Sequence, residues 1–432
     1  MFTHTISVAD LPISLEEFRQ KALAWADKQE LVAYYTSNEI PYLYNGFEHL
    51  LAVSSTTGAA IQLDEADAFA SLRQQLAKQS GLWCGFLSYD LKNQVEKLHS
   101  DNHDGLQFPL LFFFQPEVYI YFKEDKLILY SSERNIETII ATILATAAPA
   151  PLLPLQLKVQ QRVAQDEYIN QVNKIKQHIL EGDVYELNYC IEFFAEDVQL
   201  QPLPLYLALN AASPTPFSGY LKLQDKYLLC ASPERYLKKD GQKLISQPIK
   251  GTIKRGATPA EDQELQQQLR HDEKELAENM MIVDLVRNDL SRSCSVGTVQ
   301  VEEMFGIYGF QQVSQMISTV TGELHPEKNL VDALKESFPM GSMTGAPKIS
   351  AMQLIEELET TKRGLYSGAF GYVTADQNFD FNVVIRSIQY NASNGYLSFM
   401  VGSAITYDST PEQEYQECFL KAKAILKVLG QG

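Results

Sequence analysis

Cysteine is scarce in this chain and never paired. Cys84, Cys190, Cys230, Cys294 and Cys418 are scattered and odd in number, and no two form a CxxC motif. That excludes a disulfide framework or a cysteine-ligated zinc site and suits buried thiols in a reducing cytoplasm. Basic charge is also short. The 36 Lys and Arg against 54 Asp and Glu leave a net charge of −18. Nucleic acid is thereby excluded as a partner, because its affinity depends on clustered cations, and the runs Lys238-Lys239 and Lys254-Arg255 are too brief to supply them. No segment approaches the roughly 20 continuous apolar residues of a membrane helix. The start, "MFTHTISVADLPISLEE", has no basic stretch leading into an apolar core, so no signal peptide is expected and a cytoplasmic location is.

What remains is ordinary globular composition. The 432 residues are 45% hydrophobic and 21% charged, a length that suits two ordinary domains or one large two-lobed unit. If the ligand is an anion, a local group of cations must hold it against the global field.

The clearest break is "ATAAPAPLLPLQLK", residues 145–158, which reads as an extended connector between an N-terminal segment, 1–150, and a longer region, 158–432. Before it, "SLEEFRQKALAWADKQ" has helical period, while "PLLFFFQPEVYIYF" and "KLILYSS" read as strands. After it, "AQDEYINQVNKIKQHILEGD" predicts an amphipathic helix closed by Gly182. Strand-like runs follow at 219–231, 368–376, 381–390 and 396–405, alternating with helices at about 263–290, 330–337, 348–358 and 411–429. Strands in meander-like groups favour α+β architecture with large antiparallel sheets over a doubly wound parallel sheet.

The last helix carries the most chemistry. Thr410, Pro411 and Gln413 predict a capped start. At about 100° per residue, Tyr415, Cys418, Ala422, Ile425, Leu426 and Leu429 form one apolar arc, with Glu414 inside it and Glu417 and Lys421 on its edge. An exposed pair explains Glu417 and Lys421 but leaves Glu414 stranded, and a buried charge is costly unless paired or bound to metal. In "ELAENMMIVDLVRNDL", Glu278 likewise shares a face with Met281, Ile282 and Leu285. Three inward carboxylates without imidazole or thiolate suit a hard cation, and Mg²⁺ best.

Other stretches invite an anion or present an amine. "FPMGSMTGAPK", residues 338–348, is a glycine-rich turn entering a helix, though it lacks the spacing of a phosphate-binding P-loop. "FNVVIRSIQY" reads as one strand with Arg386 among apolar neighbours, in need of an anionic partner. "SFMVGSAITYDS" sets Gly402 before the last helix. In "SQPIKGTIKRG", Lys250 sits between Pro248-Ile249 and Gly251. A solvated turn lysine and a deliberately presented amine both fit that pattern.

With these residues assembled, the chain resembles the chorismate-binding enzymes, a family that includes anthranilate, aminodeoxychorismate, isochorismate and salicylate synthases. The resemblance is carried from about residue 160 to the end by "GDVYELNY", "ASPERYL", "PIKGT", "AENMMIVDLVRNDL", "FPMGSMTGAPK", "LYSGAFGYV", "IRS" and "EYQECFLKAK". It implies a two-lobed layered sandwich of large antiparallel sheets flanked by helices, with both segments contributing. It implies Mg²⁺ held by Glu278, Glu414 and Glu417, and chorismate received by Arg386, Tyr366, Lys421, Thr344 and the backbone at Gly402.

Within the family, "PIKGT" resembles the branch that aminates chorismate at ring C4, where the anthranilate branch carries alanine in place of Lys250. The resemblance implies Lys250 as a covalent nucleophile and Glu234 of "SPE" as its acid-base partner. A nucleophilic lysine must be neutral, and lowering its pKa by about three units takes roughly 4 kcal/mol of environment, to which Lys254 and Arg255 are expected to contribute. Family synthases that add water to chorismate place a lysine where this chain has Glu186, so isochorismate and salicylate are disfavoured as products. Gln315 stands where relatives often have a histidine tied to pyruvate elimination, which argues against anthranilate formation. Ser403 and Ala404 stand in "GSAI" where glycines are usual. The sequence contains no Cys-His-Glu amidotransferase module, so ammonia is expected from a separate glutamine amidotransferase subunit. An anthranilate synthase component and an inactive binding subunit are the alternatives; the presence of Lys250, Glu278 and Glu417 argues against the second.

Overall fold

Strand Leu31–Thr36 is buried along its whole length, and the alternation of its side chains shows why. Leu31, Ala33 and Tyr35 enter an apolar cluster shared with Phe86, Phe112, Phe217 and Phe370, whereas Val32 and Tyr34 enter a different one with Phe18 and Tyr206. A period-2 strand with two buried faces must lie between two layers. The computed structural model, which describes residues 1–58, 60–63, 67–311 and 313–431, builds those layers from two antiparallel sheets of 12 and 10 strands. The aromatic cluster fills the space between the sheets. Helices including Leu15–Ala26, Gln165–Glu181, Lys348–Leu358 and Pro411–Val428 cover the outer face of the first sheet. Helices Ala68–Lys78, Glu273–Ser291 and Leu330–Ser337 cover that of the second.

The two stretches of chain on either side of residues 145–158 enter both sheets. Strand Leu31–Thr36 pairs with Phe217–Leu223 in the first, and Trp83–Leu87 pairs with Ala369–Val373 in the second. The connector has no regular structure from 147 to 159, yet Leu152, Leu155, Leu157 and Val159 pack against the core beside the first sheet.

Helix Gln165–Glu181 ends at Gly182 with φ 86°, as its sequence implies. Three expectations need correction. The helix expected at 263–290 is two, Pro259–His271 and Glu273–Ser291, because the Asp272 side chain accepts from the Glu275 N–H and starts a second helix there. Thr410 caps the last helix without a side-chain hydrogen bond; its carbonyl accepts from Gln413 and Glu414 instead. "FNVVIRSIQY" is not one strand. Phe379–Val383 belongs to the second sheet and Ser387–Asn391 to the first, and the chain crosses between them through Arg386 at φ 51°. Since both strands are buried throughout, their apolar runs read as continuous.

Candidate functional site

Lys250 lies on the edge strand Ile249–Lys254 of the second sheet. The register against strand Val313–Glu323 shifts between Ile249 and Thr252, a bulge that re-aims the intervening side chains. Gly251 permits it with φ 96°, where a Cβ would meet the Glu275 carboxylate at 3.1 Å and Met316 at 3.2 Å. Asn279 fixes the bulge by donating to the Lys250 carbonyl at 3.3 Å, while its own oxygen accepts from Ser318 at 2.6 Å. The ammonium thus reaches across to the first sheet and donates to Glu186 Oε1 at 2.6 Å.

Glu186 begins the strand Glu186–Ala195 and is buried. The loop bearing Thr344 closes over it at Gly345, φ 154°, where a Cβ would lie 2.1 Å from the Glu186 carbonyl. The Lys250–Glu186 contact corrects one expectation. Arg255 is spent on Asp262, and neither it nor Lys254 is among the main influences on the Lys250 pKa. Burial works to lower it, but the carboxylates of Glu186 and Glu278 prevail and hold the ammonium above the ordinary lysine value.

Glu234 sits in the turn between strands Lys226–Ser232 and Arg235–Asp240, its N–H donating to Ser232 at 3.2 Å and its carbonyl accepting from Val383 at 3.0 Å. Burial pushes its carboxyl up to about 7, against the pull of the Ser342 hydroxyl and Lys250. Near neutral pH this group can hold and deliver a proton.

The three carboxylates come from two helices. Glu414 is buried and accepts from Ser409 at 2.8 Å. Glu278 is raised to about 7, chiefly by burial, and its Oε1 has no hydrogen-bond donor. Lys274 stands 3.7 Å from both Glu278 Oε1 and Glu414 Oε1. Glu417 pairs with Lys421 at 2.6 Å. Among the described residues, the only trio whose ligand atoms all lie within 4.8 Å is His178, Glu181 and Asp183 on the surface, so these three glutamates are gathered more loosely than that.

The residues expected to receive an anion fall into two groups. The Arg386 guanidinium has no ion pair among the described residues, and burial lowers its pKa. Tyr366 is buried, with the Cys190 thiol 3.9 Å from its hydroxyl. Lys421 donates to the Gly402 carbonyl at 2.8 Å, tying the last helix to the strand Tyr396–Ile405. The Thr344 hydroxyl is spent on the Met340 and Gly341 carbonyls, both at 3.2 Å, while its own carbonyl accepts from the Asn188 N–H at 2.8 Å. Ser403 stands 3.0 Å from the Tyr168 hydroxyl, a buried contact that uses the side chain a glycine would lack.

Sequence reasoning missed Lys274, Asn279, Ser342 and a buried pair that holds the loop in place. Arg363 is forked onto Glu359 at 2.6 and 2.9 Å and donates to the carbonyls of Met343 at 2.6 Å and Asn188 at 2.9 Å. The i,i+4 spacing of Glu359 and Arg363 was readable, but nothing local marks it as buried. Cys84 lies inside strand Trp83–Leu87, where burial pushes its thiol up, so it is no nucleophile.

Two antiparallel sheets between helical layers, closed around an enclosed lysine and several carboxylates, make this an enzyme of the anthranilate and isochorismate synthase architecture. Anthranilate synthase component I from Streptococcus pneumoniae superposes with a TM-score of 0.77 at 29% identity, covering 89% of this chain and 93% of that one. A menaquinone-specific isochorismate synthase from Escherichia coli shares the fold at TM-score 0.77 and 19% identity, covering 99% and 94%. The chain belongs to the chorismate-binding enzyme family, whose model matches residues 22–427. It is 35% identical to aminodeoxychorismate synthase component 1 of Bacillus subtilis over 80% of this chain and 76% of that protein. It is 36% identical to anthranilate synthase component 1 of Thermus thermophilus, with the same coverage.

Proposed function

We propose that this enzyme aminates chorismate at ring C4, forming 4-amino-4-deoxychorismate on the route to 4-aminobenzoate and folate. The observation that carries this reading is Lys250, a buried amine lying against Glu186 and within electrostatic reach of Glu234. Alanine at this position would leave an addition of ammonia without a protein nucleophile.

In the first half-reaction the neutral Lys250 nitrogen bonds to C2. The C1=C2 and C5=C6 double bonds shift to C6=C1 and C4=C5, and the C4–O bond breaks. Glu234, raised to about 7, gives its proton to the departing hydroxyl, which leaves as water. Ammonia then bonds to C4, the double bonds return, and the C2–N bond breaks to restore the Lys250 amine. Excess protons on the two nitrogens return to Glu234 and solvent, and the sum is chorismate plus ammonia giving product plus water. Arg386 supports this reading as a half-buried cation, without an ion pair among the described residues, for a carboxylate of the substrate.

Mg²⁺ fits the acidic end of the site. Glu278 Oε1 lacks a donor and the Lys274 ammonium stands 3.7 Å from both Glu278 and Glu414, which supports an all-oxygen donor set for a cation there. Glu278, Glu414 and Glu417 would hold it, and it would neutralise the ring carboxylate. Ammonia would come from a separate glutamine amidotransferase subunit. The five free, buried thiols favour a cytoplasmic setting.

The similarity to anthranilate synthases supports a second reading, amination at C2 followed by loss of pyruvate. Chromatography of the product formed from chorismate, Mg²⁺ and ammonium separates the two. We expect 4-amino-4-deoxychorismate; anthranilate with release of pyruvate would overturn the first reading in favour of the second.

A further inference from the structure

Glu186 is placed where a base for the nucleophile would stand. It has one buried oxygen 2.6 Å from Lys250 Nζ and a second, Oε2, with no hydrogen-bond donor. Its side chain is 1% exposed, that of Lys250 10%. A buried ion pair costs desolvation on both partners, and leaving one carboxylate oxygen bare adds to that cost. A purely structural pair would be better served by a second donor on Oε2.

We propose that Glu186 takes the proton of Lys250 and arms it for attack on the substrate. This inference rests on the reading of Lys250 as the nucleophile. The proton passes from Nζ to Glu186 Oε1 along the existing hydrogen bond, leaving a neutral amine beside a neutral carboxylic acid. The amine's electron pair forms the bond to C2. When ammonia later breaks that bond, the nitrogen recovers its electron pair, and Glu186 can exchange its proton with the amine again. No oxidant or co-reactant is needed.

The surroundings decide how readily this occurs. Lys250 is faced by Glu186 from the first sheet, by Glu278 and Glu275 from the helix Glu273–Ser291, by Glu417 from the last helix and by Glu234 from the turn that links the two sheets. Glu186 is the only one of these within ion-pair distance among the described residues. The others favour the ammonium at longer range. Expelling water as substrate fills the site disfavours a charged pair relative to a neutral one.

Adduct formation in the absence of ammonia tests this without interference from the ammonia supply. Chorismate and Mg²⁺ are mixed with wild type, Glu186→Gln and Glu186→Asp between pH 6 and 10, and the modified Lys250 peptide is followed in time by mass spectrometry. Glutamine keeps an acceptor for Lys250 but cannot take its proton. We expect Glu186→Gln to react at least about tenfold more slowly at pH 7.5, with the deficit shrinking as pH rises toward the lysine's own ionisation. Glu186→Asp should be slower than wild type but keep the wild-type pH profile. Chorismate affinity should change little in either. A Glu186→Gln profile parallel to wild type would overturn the role. So would full-rate reaction in Glu186→Asp, which carries the test alone if the glutamine variant fails to fold. If wild type forms no adduct at any pH, it is the nucleophile reading that falls; adducts with indifferent Glu186 variants defeat only the present inference.

Discussion

The ammonium of Lys274, on helix Glu273–Ser291, stands 3.7 Å from the carboxylate of Glu414 on helix Pro411–Val428. It lies equally far from Glu278 one turn along its own helix. A half-exposed lysine therefore stands between two carboxylates that would otherwise repel, at the place proposed for Mg²⁺.

Lys274 and that cation should compete. Lys274→Gln is expected to tighten Mg²⁺ binding about three- to tenfold, on the order of 1 kcal/mol for a partly screened charge, whereas Glu278→Gln should abolish it. Isothermal titration with Mg²⁺ alone reads both. Weaker binding in Lys274→Gln would mean that the lysine assembles the site and does not compete for it.

Glu234 carries a second expectation, in stability. Its carboxyl titrates at about 7 in the fold against an ordinary value of 4.5. The folded state thus binds the extra proton between those values, and the contribution is full below pH 4.5 and lost as pH rises through 7. Glu234→Gln has no such loss. Measured by urea unfolding, its stability relative to wild type should rise across that window by up to about 3 kcal/mol and level off above it. A difference independent of pH would contradict the buried titration.

Arg363 should be the most costly residue of the site to lose for the fold. Arg363→Met leaves Glu359 buried without its partner and frees the Met343 and Asn188 carbonyls. We expect about 3–5 kcal/mol of destabilisation, and the double variant Arg363→Met with Glu359→Leu should recover much of it. Equal loss in single and double variants would show that packing, not charge, dominates.

Much of this was legible in the sequence, and the failures share a cause. The amphipathic last helix placed Glu414 inside, and helix 348–358 and the α+β class follow from local pattern and strand grouping. Antiparallel sandwich architecture was expected, and the anthranilate and isochorismate synthase structures bear it out. The crossover at Arg386 was not legible, because two strands buried on both faces read as one. Nor was the Lys250–Glu186 contact, which joins residues 64 apart across two sheets. Lys254 and Arg255 were near in sequence, and that proximity misled: the charges that govern Lys250 arrive from other strands and helices.

Nitrogen use offers a further check. The isolated chain should turn over with ammonium, better at higher pH where free ammonia is available, and should ignore glutamine. Adding a glutaminase subunit should restore glutamine use. Glutamine-dependent turnover by the purified chain alone would show that the nitrogen source lies within it.

The most direct measurement of the central claim is peptide mass spectrometry after incubating the wild type with chorismate and Mg²⁺ but no ammonia. The account predicts an adduct of chorismate less one water on the peptide containing Lys250, which disappears when ammonia is supplied and is absent from Lys250→Ala, a variant that still binds chorismate but does not turn it over. An unmodified Lys250, together with full turnover by Lys250→Ala, would contradict it.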